Sequence, residues 1–410
     1  MENWRRTFIT IWTGQAVSIL TSSVLQMAIV WYVTQRTGSA ALLSLATLIG
    51  FLPQALLGMF IGVYIDRYNR KMVMILSDLL IAGAGLVLVT VGAFGEIPLW
   101  LIYVVLCFRS IGAAFHTPAL QAVTPSIVPK DKLTQYAGFA QGFKSLSMVL
   151  SPALAAVLFS LWDLNIVILL DVFGALFAGG VLFLVRLPDH VRVAHCDGSM
   201  LTEVKEGFRA LRKEPGLLEL LIISSLYAFI FFPIGTLYPL ITMTWFQGGV
   251  AESGVVEVVF AVGMLVGSFV LGIIGGRIRH VRAILSSMGV YGSCVLLAGH
   301  LPQSGLFIFI GISFVMGMVN PFFHGVQTAI YQTRIDQQYL GRVLSLTSSI
   351  GLVAMPLGLI LSGTFADVIG VNRWFAISGG LVLLLFLVGS RVLPKRLDPH
   401  YGRTASGKAR

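Results

Sequence analysis

Long apolar runs separated by short charged turns dominate this chain. A helix needs about 20 mainly apolar residues to cross the hydrocarbon core of a bilayer. That criterion predicts twelve segments, at 8–34, 41–65, 72–94, 98–119, 134–160, 165–186, 217–244, 255–276, 283–301, 304–330, 343–366 and 371–393. Backbone polar groups in lipid must be satisfied internally, so each segment is a helix or a strand of a closed barrel. Barrel strands alternate apolar and polar positions over about ten residues. These runs are too long and too uniformly apolar for that, so the predicted fold class is an all-α membrane protein with twelve transmembrane helices.

The one long polar connection, 187–216, falls between segments six and seven. Within it Leu201, Val204, Phe208 and Leu211 recur at helical spacing, with Glu203, Lys205, Glu206, Arg209 and Arg212 between them. That pattern predicts a short amphipathic helix at the membrane surface or against the bundle. The expected organisation is a six-helix bundle at 1–186, a linker at 187–216, a second bundle at 217–393 and a basic tail at 394–410. The halves echo each other in order. Gly62-x-x-x-Asp66-Arg67 returns as Gly272-x-x-x-Gly276-Arg277, Tyr136 and Gly138 as Tyr339 and Gly341, and Pro152 and Asp163 as Pro356 and Asp367. This favours a duplicated six-helix unit, a construction many secondary transporters use to build a site near the midplane.

Composition agrees with the pattern. Hydrophobic residues make up 56% of the chain and charged residues 11%, and mean hydropathy is +0.88. A typical soluble domain carries about 25% charged residues, and with so few this chain would expose large apolar patches in water. The net charge of +10 raises the question of a nucleic-acid partner. The cations form no stripe, however; they cluster in alternate connections, so no nucleic-acid partner is expected. Placing both termini in the cytoplasm puts 24 of the 28 Lys and Arg residues inside, with Arg36 and Arg373 outside and Arg109 and Lys144 within spans. The positive-inside bias selects that orientation. The first apolar run is too long for a signal-peptide core and reads as a retained span. Cys107, Cys196 and Cys294 lack any C-x-x-C spacing, so neither a disulfide framework nor a metal site is expected.

Ionisable groups within spans are expensive and call for a functional reason. Arg109 is predicted near the midplane of helix four, Lys144 nearer the cytoplasmic side of helix five, Asp171 nearer the outer side of helix six, and Asp78 about two turns into helix three. An Asp171–Arg109 pair released by protonation of the aspartate would couple transport to protons, burial and the arginine pulling its ionisation in opposite directions. Asp78 is expected to pair with Arg70 or Lys71. Lys144 points to water, pairs with a carboxylate, or implies a substrate that is not a simple cation. Glu219 and Glu257 are expected to be wetted at span ends. His116 and His324 have no second ligand at i+4 and are expected to be satisfied polar residues. Pro233, Pro239 and Pro321 predict bends in helices seven and ten. No G-x-x-x-x-G-K-[ST] phosphate loop is present, so an ion gradient is the expected energy source, with no cofactor. Whether an ATPase partner assists is open. No Ser-His-Asp or Cys-His grouping points to an enzyme.

The connection Gly62-Val-Tyr-Ile-Asp66-Arg67-Tyr-Asn69-Arg70-Lys71 is the most specific motif. Gly62 permits close helix approach, Asp66 can pair with a cation or a helix N-terminus, and the cations hold the loop inside. With it the chain resembles the major facilitator superfamily, whose loop signature is Gly-x-x-x-Asp-Arg/Lys-x-Gly-Arg-Arg/Lys. Asn69 replaces the second glycine and is expected to tolerate left-handed backbone. The resemblance implies two pseudo-symmetric six-helix bundles rocking about a central cavity, with Gly62, Asp66, Arg67, Arg70 and Lys71 as a cytoplasmic gate. Arg109-Ser-Ile-Gly112 resembles the family's intramembrane arginine motif associated with proton coupling. Ser151-Pro152-Ala153-Leu-Ala155-Ala156 looks like a softened antiporter motif, with glycines replaced by small residues.

A narrower resemblance is to the macrolide-efflux (Mef-type) transporters. It rests on Thr13-Gly-Gln-Ala-Val-Ser18, Phe108-Arg-Ser-Ile-Gly112, Ala114-Phe-His-Thr-Pro-Ala119, Val123-Thr-Pro125, Ser151-Pro-Ala153, Leu340-Gly-Arg-Val343 and Phe365-Ala-Asp367 through Ile369-Gly-Val-Asn372. It implies a proton-driven exporter of macrolide antibiotics from a Gram-positive bacterium. Helices one, four, seven and ten line the cavity in that fold, so the resemblance gives Gln15, Gln26, Phe115, Tyr227, Phe231, Phe232, Tyr238, Phe322, Phe323 and Gln327 as candidate contacts for a large amphiphile. Two rivals are kept: export of an endogenous amphiphile such as a siderophore or peptide antibiotic, and a non-transporting receptor or scaffold. The intramembrane charges speak against the latter.

Overall fold

Each apolar run becomes a helix in the computed structural model, and most helices run beyond the hydropathy window that predicts them. The structure describes residues 4–65, 69–129, 132–185, 208–209, 211–274, 278–335, 337–393 and 397; some side chains within these helices, Lys144 among them, lie outside the description. In chain order the helices are α1 Trp4–Thr37, α2 Ala40–Ile65, α3 Arg70–Phe94, α4 Leu99–Ile127, α5 Leu133–Leu161 and α6 Leu164–Leu184. They continue as α7 Leu217–Thr236, α8 Val250–Ile274, α9 His280–His300, α10 Leu306–Arg334, α11 Gln337–Ile369 and α12 Val371–Val392. No strand occurs among the described residues. Ten of these helices are long and apolar enough to cross a membrane, and α5 and α11 add shorter apolar stretches at Val149–Leu161 and Val353–Ile369. The extra length lies at the helix ends, outside the windows that apolar content selects.

Two of the expected bends take different forms. Downstream of Pro233, α7 stops at Thr236; a short turn Tyr238–Leu240 follows and then a π-helical turn Ile241–Trp245. Pro321 lies inside an unbroken α10. In the central connection, 208–209 and 211–213 are helical, with Leu211 buried and Phe208 exposed, while Leu201 and Val204 fall outside the described residues.

The chain divides into two compact units. The first comprises Met1–Gly38, Leu45–His195 and Val250–Val255, and the second Ser39–Ser44, Cys196–Gly249 and Val256–Arg410. Each unit thus takes in one short stretch from outside its expected half, residues 250–255 and 39–44 respectively. In the first unit α6 packs on α3 and α1, α4 on α3, and α5 on α1. In the second unit α12 packs on α9 and α7, α10 on α9, and α11 on α7. Adding six to each helix number of the first unit reproduces the packing of the second, as a duplicated six-helix unit requires.

Large apolar side chains are widespread on the surface, unlike in a water-soluble protein. Phe94, Phe183 and Phe307 are 94%, 74% and 85% exposed, while Ser77, Ser224, Ser313 and Ser378 are buried. In lipid no hydrophobic force drives helices together, so small and polar residues mediate close packing and bulky apolar ones face outward. Apolar packing persists at one end of the first unit, where Phe8, Ile11, Trp12, Met74, Leu120 and Ile127 form a cluster.

Candidate functional site

Arg109 is ten residues into α4, about 15 Å along its axis, and Asp171 is seven residues into α6, about 10 Å along. Both lie well inside the hydrocarbon depth. The Arg109 Nη1 donates to Asp171 Oδ2, and the Ser22 hydroxyl of α1 donates to Oδ1 at 2.7 Å. Arg109 is 9% exposed and Asp171 0%. A carboxylate in so dry a place is tolerable because a guanidinium and a hydroxyl compensate both of its oxygens.

Glycines set the approach of the three helices. Gly112 lies one turn after Arg109, Gly174 one turn after Asp171, and Gly85 two turns after Asp78. A Cβ at Gly174 would fall 2.2 Å from Thr21 Oγ1, one at Gly112 2.8 Å from Ile81, and one at Gly85 2.8 Å from Val172. Each charged side chain therefore has a glycine on its own helix face, which lets the neighbouring helix approach. Beside Arg109, the Ser110 hydroxyl accepts from the Gln54 backbone N–H at 3.0 Å. That N–H follows Pro53, where the hydrogen-bond ladder of α2 is interrupted.

Asp78 does not make the expected pair with Lys71. The Lys71 Nζ instead donates to the carbonyls of Phe183 and Val185, at 2.9 and 2.8 Å. The end of α6 offers unpaired carbonyls at the negative end of its dipole, within reach of an ammonium at the start of α3. Asp78, 3% exposed, faces His116 of α4, with Nε2 to Oδ1 at 3.4 Å. Sequence reasoning missed this partner because it treated His116 by itself. It also missed Ser22, which carries no signal apart from being a hydroxyl within a span. Asn69 departs from expectation too. Its φ is −68°, not left-handed, and its side chain caps α3 by accepting from the Lys71 and Met72 N–H groups at 3.0 and 3.4 Å.

The remaining gate residues are described only in part. Gly62 is in the last turn of α2 and Arg70 opens α3, whereas Asp66 and Arg67 lie outside the described residues. Ser151 and Pro152 are buried inside α5. Ala156, further along that small-residue face, comes so close to Gly254 that a Cβ there would sit 2.3 Å from the alanine methyl. The Lys144 side chain is outside the description.

The substrate candidates separate by exposure. Within the second unit Tyr227 packs tilted against Phe323 at a centroid distance of 4.2 Å and meets Phe231 and Tyr291 at 5.6 and 5.9 Å. Tyr238 belongs to a different cluster with Phe260, Phe309 and Phe375. Tyr227, Tyr238 and Phe323 are 2% exposed or less, so in this arrangement they serve packing and offer no surface to a ligand, contrary to expectation. Phe231, Phe232, Phe322 and Gln327 are half-buried, as are Gln26 and Phe115 in the first unit. Gln327 donates to the Tyr331 hydroxyl at 3.4 Å. Gln15 is fully buried, and neither of its amide atoms has a hydrogen-bond partner among the described residues. Glu219 and Glu257 are half-buried. At the offset of 204 that relates Asp163 to Asp367, Arg109 corresponds to Ser313 and Asp171 to Phe375, so the dry ion pair of the first unit has no charged counterpart in the second.

A membrane-spanning helical bundle with repeated halves and a buried ion pair has the characteristics of a secondary transporter. The Major Facilitator Superfamily profile matches residues 11–251 and 220–410, and the chain belongs to that family. It is 49% identical over 388 residues to Macrolide efflux protein A of Streptococcus pyogenes, covering 94% of this chain and 96% of that one. It is 47% identical over 323 residues to Macrolide efflux protein A of Enterococcus faecalis, covering 78% of this chain and all of the relative. Among solved structures, a bacterial homolog of the human lysosomal transporter Spinster superposes with a TM-score of 0.74 at 14% identity. That match covers 95% of this chain and 97% of the other, and it speaks for the fold alone.

Proposed function

We propose that this multi-pass transporter exports macrolide antibiotics in exchange for protons, by alternating access, from a bacterial cell membrane with both termini in the cytoplasm. The substrate reading rests on one observation, the likeness to Macrolide efflux protein A along nearly the whole of both chains. The orientation rests on the charge bias of the connections.

The coupling reading rests on the Arg109–Asp171–Ser22 arrangement. A proton on Asp171 removes the charge that holds Arg109, and the released guanidinium must then find another partner or water. A buried group with two such discrete states is a natural switch between transport conformations. In this reading Asp78 and Lys144 are further coupling residues, and the Asp66 loop with Gly62, Arg67, Arg70 and Lys71 is the inner gate. The antiporter-like turn at Ser151 and Pro152 provides close packing. Candidate drug contacts are Gln26, Phe115, Phe231, Phe232, Phe322 and Gln327, with the buried Gln15, Tyr227, Tyr238 and Phe323 supporting them from behind. No nucleic acid takes part, and the bilayer and an amphiphilic drug are the partners.

The test is erythromycin accumulation in a drug-sensitive strain expressing the chain, with and without a protonophore. Reduced accumulation that the protonophore restores is the expected result. Unchanged accumulation for every macrolide tried removes the substrate, and export that the protonophore leaves intact removes the coupling.

A further inference from the structure

An exchanger needs a route for the proton as well as a switch, and the first unit contains a second ionisable contact next to the first. Arg109 and His116 are seven residues apart on α4, an interval that returns to the same face two turns later, about 10 Å along the axis. Asp78 approaches that face from α3 and lies within electrostatic range of Asp171. The 3.4 Å between His116 Nε2 and Asp78 Oδ1 is longer than an ordinary N–H···O bond, so the two groups touch without being locked together. Asp78 Oδ2 is buried and accepts no hydrogen bond from the described residues. On its α6 side stands Gly179, which has no side chain to offer one. Side-chain exposure rises along the series, from 0% at Asp171 to 3% at Asp78 and 12% at His116.

The other groups around this contact are committed. Asp171 is held by Arg109 and by Ser22 of α1. Ser77, next to Asp78 on α3, donates to the Val73 carbonyl at 2.8 Å, and Lys71 is engaged by the end of α6. Among the described residues, His116 of α4 stands against Asp78, and Asp171 of α6, which holds Arg109, lies within its electrostatic range.

We infer that Asp78 and His116 form a second proton station, carrying protons between the Arg109–Asp171 pair and water at the end of the unit where α3 begins. The inference rests on the proton-exchange reading above. As Arg109 closes on Asp171, the carboxyl proton passes to the Asp78 carboxylate, leaving its bonding pair on Asp171. Asp78 O–H then gives the proton to neutral His116 Nε2, and the imidazolium releases a proton from Nδ1 to water. Each transfer moves one proton and no net electrons, and the ring returns to its first tautomer before the next cycle.

The test uses the full chain in proteoliposomes, with a pH-sensitive dye in the lumen and erythromycin as the substrate. His116→Gln and Asp78→Asn are expected to bind erythromycin with wild-type affinity while erythromycin-driven proton movement slows by about a hundredfold, the lower range for loss of a proton-transfer group. The rate in His116→Gln should also lose its dependence on pH between about 5 and 8, where an imidazole titrates. Asp78→Glu, which keeps the carboxyl, should restore most of the movement. Wild-type rates and pH profiles in both His116→Gln and Asp78→Asn overturn the relay, and so does loss of erythromycin binding in both, which assigns the contact to structure alone. A wild-type chain that moves no proton with erythromycin overturns the exchange reading and the relay with it. Exchange that requires Asp171 but is indifferent to Asp78 and His116 overturns the relay only.

Discussion

Ser22 and Arg109 share the carboxylate of Asp171, the hydroxyl on Oδ1 and the guanidinium on Oδ2, so one buried side chain joins α1, α4 and α6. A hydrogen bond to a buried charged group contributes about 1.5–3 kcal/mol. Ser22→Ala should lower stability by that amount, and Ser22→Thr, which keeps the hydroxyl, should recover most of it. Thermal unfolding of the detergent-purified protein, followed by tryptophan fluorescence, measures both.

Neutralising either member of the ion pair alone leaves the other charged and buried, at a cost of about 3–5 kcal/mol, whereas removing both costs much less. Arg109→Gln and Asp171→Asn are therefore each expected to destabilise more than the double variant. If the double variant is as unstable as the sum of the singles, the two charges do not depend on each other. The double variant should still fail to couple export to protons, which separates the pair's part in folding from its part in transport.

Gly174 permits the approach of α1 to α6. Adding a methyl there would place it 2.2 Å from Thr21 Oγ1, and overpacking of this kind costs about 1–3 kcal/mol. Gly180 is on the same helix with nothing within 4 Å of its would-be Cβ. Gly174→Ala should thus lower the melting temperature, while Gly180→Ala should leave it unchanged or raise it through helix propensity of about 1 kcal/mol. Equal effects would remove the close-packing argument.

In the second unit, Asp367 at the end of α11 accepts from the Ala40 and Ala41 backbone N–H groups and from the Ser39 hydroxyl, the last at 2.6 Å. It therefore acts as the N-terminal cap of α2, a role worth about 0.5–2 kcal/mol when a capping side chain is replaced by alanine. Asp367→Ala should destabilise by that amount, and Asp367→Asn, which retains an acceptor oxygen, by less. Hydrogen exchange at the first turn of α2 reports the loss locally; unchanged protection in Asp367→Ala would refute the cap.

The sequence by itself determined the twelve helices, the duplicated six-helix unit and the identity of the intramembrane charges, because apolar length and the cost of burying charge are properties of single segments. It also held an unused signal, the glycines one or two turns from Arg109, Asp171 and Asp78 that mark the faces on which those helices meet. It did not determine partners. Arg70 and Lys71 are the partners the sequence offers Asp78, and only the packing of α6 and α4 against α3 brings the carbonyls of Phe183 and Val185 to Lys71 and His116 to Asp78. Likewise the sequence treats Tyr227 and Phe231 alike, while tertiary structure buries the first and leaves the second partly open. The physical reason is common to both cases. A helix in lipid is apolar on every side, so its periodicity does not say which face turns inward, and that rotation is decided only when small and polar residues of neighbouring helices come into contact.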